Sequence, residues 1–144
     1  MSVVRCELLQ NRPVMMAWME PYCAAAHIVT VIGEDVWPTS DPVESAINVA
    51  VWPDDHEVTL PGCGQGFHPY GMADVWRVAA LVAERAVALL AGQDSKSEVL
   101  SMIRGRAFFD KVAPGVLLNR ELPNLSNLES VVQRRGLQEA LHGK

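Results

Sequence analysis

Apolar and polar positions along this chain fall into blocks whose spacing predicts a strand-rich domain around one long helix. After a mixed stretch at residues 3–10, a helix end or a strand, Asn11-Arg12-Pro13 breaks the pattern. Val14 to Met19 is an unbroken apolar run that suits a buried strand, and Ala24 to Ile32 carries the β-branched run His27-Ile28-Val29-Thr30-Val31-Ile32. With Pro21 between them, the two read as antiparallel strands with a short connection. Gly33 to Val43, with Pro38 and Pro42, reads as a loop. Ala46 to Trp52 alternates, with Ile47, Val49 and Val51 on one face, and reads as a half-buried strand ended by Pro53. Val58 to Leu60 is a short strand candidate. Pro61 to Gly71 holds four glycines and two prolines and reads as a structured loop.

Met72 to Ala91 is the clearest helix. It is rich in Ala, Val and Leu, has Asp74 in its first turn and stops at Gly92. Its polar residues are only Asp74, Arg77, Glu84 and Arg85, so most of its surface is expected to be buried in a core or a subunit interface. Glu98 to Ile103 and Arg106 to Val112 read as strands meeting at Gly105. Ser126-Asn127-Leu128-Glu129 has the form of a capping box and is expected to open a last helix to about Leu141, with Gly136 inside it. The fold class is therefore α/β or α+β: a mixed, largely antiparallel sheet with one long buried helix and a C-terminal helix. The chain is read as one domain over residues 1–144, with a core to residue 118 and a C-terminal helix and tail over 124–144.

Composition narrows the function classes. The 144 residues are 49% apolar and 20% charged, a globular composition with room for a hydrophobic core. Twelve basic and seventeen acidic side chains give a net charge of −5. That balance lacks the electrostatic footprint of a nucleic-acid or anionic-membrane binder, so neither partner is expected. The most apolar stretch, Val75 to Ala91, carries Arg77, Glu84 and Arg85, which argues against a membrane span. Three cysteines, Cys6, Cys23 and Cys63, make no paired spacing, and no signal-peptide pattern opens the chain. A cytoplasmic location is expected.

Cys63 is the most suggestive residue for chemistry. It lies in Pro61-Gly62-Cys63-Gly64-Gln65-Gly66, ahead of the long helix, whose dipole and free amides favour a thiolate. His68, or His56, is near enough in sequence to act as a base. A small buried cysteine in a tight loop explains the same residues. Asp54-Asp55-His56-Glu57 reads as a solvated turn, and no Cys or His pair completes a metal site, so no metal or cofactor is expected. The tryptophans Trp18, Trp37, Trp52 and Trp76 are more often core residues than ligand platforms; Trp37, in the loop Val36-Trp37-Pro38, is the one open to exposure, and an exposed Trp marks a contact surface. Trp37, Trp76 and Tyr70 are the candidate partner-binding residues.

Three segments resemble, in order, the C-terminal half of the ThiF/MoeB adenylyltransferase family, particularly its bacterial ubiquitin-activating-enzyme-like branch. They are Arg12-Pro13-Val14-Met15-Met16-Ala17-Trp18-Met19-Glu20-Pro21-Tyr22 with His27-Ile28-Val29, then Gly62-Cys63-Gly64 through Pro69-Tyr70-Gly71-Met72-Ala73-Asp74, then Ala79 to Gly92. The likeness spans about residues 11 to 118. It implies half of a Rossmann-like domain that helps form a homodimer, and it places Cys63 where that family has a cysteine that accepts a ubiquitin-like protein as a thioester. The family's ATP-binding strand, glycine-rich turn and helix have no counterpart here, and no Gly-x-Gly-x-x-Gly occurs. ATP-dependent adenylation by this chain alone is not expected.

Three functions remain open on this reading. The first is a non-catalytic partner-binding or assembly domain, as a homodimer or with a separate nucleotide-binding subunit or a ubiquitin-like protein. The second is a thiol-dependent carrier or transferase using Cys63 and His68. The third is a small-ligand-binding domain.

Overall fold

The apolar run after Pro13 forms β1 (Val14–Met19), and the β-branched run that follows forms β2 (Ala25–Val31). They pair antiparallel, with Trp18 opposite His27. The turn between them is a single 3-10 turn at Pro21–Cys23, in which Tyr22 and Cys23 both take positive φ, 55° and 54°. The computed structural model describes residues 12–33, 35, 58–59, 66–67, 71–93, 96–112, 122–126 and 129–142. Cys63, His56, His68, Trp37, Tyr70 and the strand expected at Ala46 to Trp52 lie outside the described residues.

Downstream come β3 (Val58–Thr59) and β4 (Gly66–Phe67), which pair with each other. Next is the long helix α1 (Met72–Leu90), followed by β5 (Glu98–Arg104). Then come α2 (Arg106–Val112), β6 (Ser130–Gly136) and α3 (Leu137–His142). The main sheet is four-stranded and wholly antiparallel, in the order β1-β2-β5-β6. The class is thus mixed α/β, with a largely antiparallel sheet, a long helix and a short C-terminal one.

The central strands β2 and β5 are buried at every position, on both faces. Residues opposite one another on antiparallel strands share a face. One face carries Ala25, Val29, Val31, Val99 and Ile103, and is closed by Leu137 and Ala140 of α3. The other carries Ala26 and Met102, and meets Val78, Leu81 and Val82 of α1. A third small cluster packs Phe108 and Phe109 of α2 on Ala24, with Tyr22 and Leu122.

Two expected elements are corrected. Arg106 to Val112 is a helix, not a strand. The Phe108–Phe109 pair that reads as strand is buried edge-to-face beside Ala24. Gly105 lets the segment Pro123–Leu125 lie against the chain where β5 ends, with Arg106 N–H donating to the Pro123 carbonyl at 3.2 Å. Ser126 to Leu141 is not one helix but β6 and then α3. The capping-box contact does form, Ser126 N–H donating to the Glu129 carboxylate at 2.9 Å, but it closes only a turn. Bonds from Ser126 hold the Glu129 carboxyl below its ordinary value. Beyond it, Val131 and Val132 pair along the open edge of β5, which offers more than an isolated helix of this length can.

Candidate partner-binding face and a buried polar network

α1 forms because its interior is Ala, Val, Leu and other good helix formers. It ends on a Schellman arrangement: Gly92, at φ 65°, donates to the Leu89 carbonyl at 3.1 Å, and Gln93 donates to Ala88 at 3.0 Å. Its burial is one-sided, and the general burial expected of it is corrected: Val78 and Arg85 are its buried residues, and ten of its nineteen positions are exposed. The face toward the sheet carries Asp74 and Arg85 among its apolar residues. Asp74 pairs with Arg104 of β5. Arg85 is almost fully buried; its Nε donates to the Thr30 hydroxyl at 3.3 Å and lies 3.3 Å from the Glu98 carboxylate. Arg134 lies 3.6 Å from the same carboxylate. The Asp74–Arg104 and Arg85–Glu98 pairs therefore join helix to sheet and are largely buried, while Arg134 reaches Glu98 from the surface.

The outward face carries an apolar stripe, with Arg77 and Glu84 exposed on one flank of it. Met72, Trp76, Ala79, Ala80, Ala83, Val87 and Leu90 are all exposed and fall in one stripe about 100° wide at the helical repeat. Trp76 is 70% exposed and Leu90 89%. Trp76 is the one sequence-predicted site residue within the described chain, and it stands at the surface as a contact residue must. The neighbours of Trp76 on the stripe were not singled out by sequence reasoning, because its low charge content pointed to general burial. The signal that finds them is the placement of Asp74 and Arg85 eleven residues apart, three helical turns, on one face.

A second constellation was missed altogether. His27, on central strand β2, has Nδ1 2.9 Å from the Ser101 hydroxyl of β5 and Nε2 3.0 Å from the Glu20 carboxylate. The β2–β5 register sets His27 directly opposite Ser101, and the tight turn folds Glu20 back beside Ala25. Trp18 lies tilted against the imidazole, ring centroids 5.5 Å apart. In residue type this is a Ser-His-carboxylate set. The three residues are 0–3% exposed and the serine lies mid-strand, whereas a catalytic serine must meet its substrate. The network satisfies buried polar groups and ties β1's end, β2 and β5 together.

Cys23 is buried too, against Ala26, Val78 and Met102. Burial, then the Asp74 carboxylate, pushes its thiol from 9.0 up to about 11, against the opposing pull of Arg104 and Arg77. It is a protonated thiol at neutral pH and a poor nucleophile. Among the described residues, no group of three His, Cys, Asp or Glu side chains is placed to hold a metal ion, and no helix is long and apolar enough to cross a membrane. Compared with family models, with curated proteins and with solved structures, the chain matches none.

Proposed function

We propose that this chain is a non-catalytic assembly domain that docks another polypeptide on the outer face of α1. One observation carries the reading: α1 packs Val78, Leu81 and Val82 on the sheet, yet a second apolar stripe with the large side chains Met72, Trp76, Val87 and Leu90 faces outward. A helix that served only its own core would carry polar residues along that side. The four large exposed side chains of the stripe, Met72, Trp76, Val87 and Leu90, present on the order of 500 Å² of apolar surface. A patch of that size matches the largest on a typical monomer, which is often the functional surface. The ion pairs Asp74–Arg104 and Arg85–Glu98 fix the helix on the sheet, so that the face is presented rigidly and little ordering entropy is lost on docking.

The test is site-specific photocrosslinking in cells, with a photoreactive side chain placed in turn at Trp76, Val87 and, as a control on a different helix, the exposed Gln138. Discrete adducts from the first two positions and none from the third are expected. An absence of adducts from both stripe positions overturns the reading.

A further inference from the structure

Resting on the assembly reading, we infer that the occupant of this face is a second copy of the chain, laid antiparallel so that α1 packs on its own symmetry mate. The order of residues along the stripe is self-complementary. With a two-fold axis at the level of Leu81, Met72 meets the partner's Leu90, Trp76 meets the partner's Val87, and Ala79 meets the partner's Ala83. Large side chains then lie at the ends, and alanines at the crossing, where two helix axes approach to about 8–10 Å.

Charge gives an independent reason. Arg77 and Glu84 are both exposed and lie on one flank of the stripe, separated from it by less than a quarter turn. In an antiparallel two-fold pair a flank meets the same flank of its mate. Arg77 therefore lands beside the partner's Glu84, and Glu84 beside the partner's Arg77, giving two opposite-charge contacts at the rim. A parallel pair sets this flank against the opposite one, made of Val75, Val82 and Ala86, and leaves the four charges without cross-pairs.

Area agrees. The α1 helix of 19 residues is about 28 Å long. The large side chains of two copies supply about 1,000 Å² between them, the lower bound for a specific interface, and the alanines and the rim add to it.

The experiment is charge exchange read by sedimentation and light scattering on the full chain. Arg77→Glu alone sets Glu against Glu twice, and Glu84→Arg alone sets Arg against Arg twice. Each is expected to weaken the dimer about ten- to hundredfold. The double variant Arg77→Glu/Glu84→Arg restores the wild-type dissociation constant, and an equimolar mixture of the two single variants forms a heterodimer tighter than either homodimer. Both positions involved are on the surface, so circular dichroism and the thermal midpoint report that each variant folds. A wild-type chain that remains 15.8 kDa throughout the micromolar range overturns the inference, as does a dimer indifferent to the swaps or unrescued by the double variant. The two readings fail separately. Crosslinks from Trp76 and Val87 to a different polypeptide keep the assembly role and remove the second copy, whereas no crosslinks from either position remove both.

Discussion

His27 shows how a polar group is accommodated at the centre of an apolar sheet. It is fully buried between Ser101 and Glu20, and each neighbour satisfies one ring nitrogen. Removing a partner leaves a desolvated group behind, which costs more than the lost bond itself. Ser101→Ala is expected to lower stability by about 1–2 kcal/mol, and His27→Ala by about 3 kcal/mol because it removes the buried ring that both Ser101 and Glu20 bond to and leaves a cavity. The double variant should cost less than their sum, since both act on one network. Urea unfolding of the three variants measures this. Cys23 gives a pH-dependent prediction. Its folded pKa of about 11 lies above the ordinary 9.0, so the unfolded chain loses the proton first as pH rises. The stabilisation is complete below pH 9 and is lost as pH rises toward 11. The stability difference between wild type and Cys23→Ala should therefore shift against the wild type over that window. Below it, alkylation of native Cys23 should proceed only as fast as the protein opens.

Elements are decided by what each segment can pair with. The run Arg106 to Val112 has aromatic residues that favour a strand, yet it cannot fold back beside β5, whose two sides are taken by β2 and β6. Gly105 makes the change of direction possible. A Cβ there would lie 2.7 Å from the Pro123 carbonyl oxygen and 2.7 Å from the Leu125 Cβ, and the first of these is backbone. Gly105→Ala is expected to cost about 2–3 kcal/mol. Gly136→Ala, where an added Cβ meets nothing within 4 Å and φ is not positive, should change stability by less than about 0.5 kcal/mol. Thermal melts of the pair distinguish a glycine required by close approach from one that merely ends a strand.

At the scale of the molecule, the described residues make a sheet covered on one face by α3 and on the other by α1, with an apolar stripe left on the outer side of α1. Val87 is 64% exposed, so a charge placed there should leave the isolated fold within about 0.5 kcal/mol of wild type. In the antiparallel pair the same charge would be buried against the partner's Trp76. Val87→Glu is therefore expected to abolish self-association while leaving urea unfolding of the monomer unchanged. Gel filtration and the unfolding curve, taken together, check both halves of that outcome.

The elements with unambiguous patterning were legible from the sequence. β1, β2, β5 and α1 begin and end within a residue or two of where runs, prolines and Gly92 place them, because local propensity and burial there point the same way. Local signals misled at the chain's end, where a capping-box bond formed without a helix, because pairing with β5 outweighs one side-chain bond. What only the tertiary structure decided is which residues meet. Glu20, His27 and Ser101 join because the β2–β5 register and the turn at Pro21–Cys23 bring together residues 7 and 74 positions apart. Likewise, the sequence shows a helix with four charges, but not which side they occupy. Arg104, Thr30 and Glu98 on the sheet draw Asp74 and Arg85 inward, where a low dielectric and good partners make the pairing effective. Val78, Leu81 and Val82 turn to the sheet with them, and the second apolar stripe of the helix is left facing out.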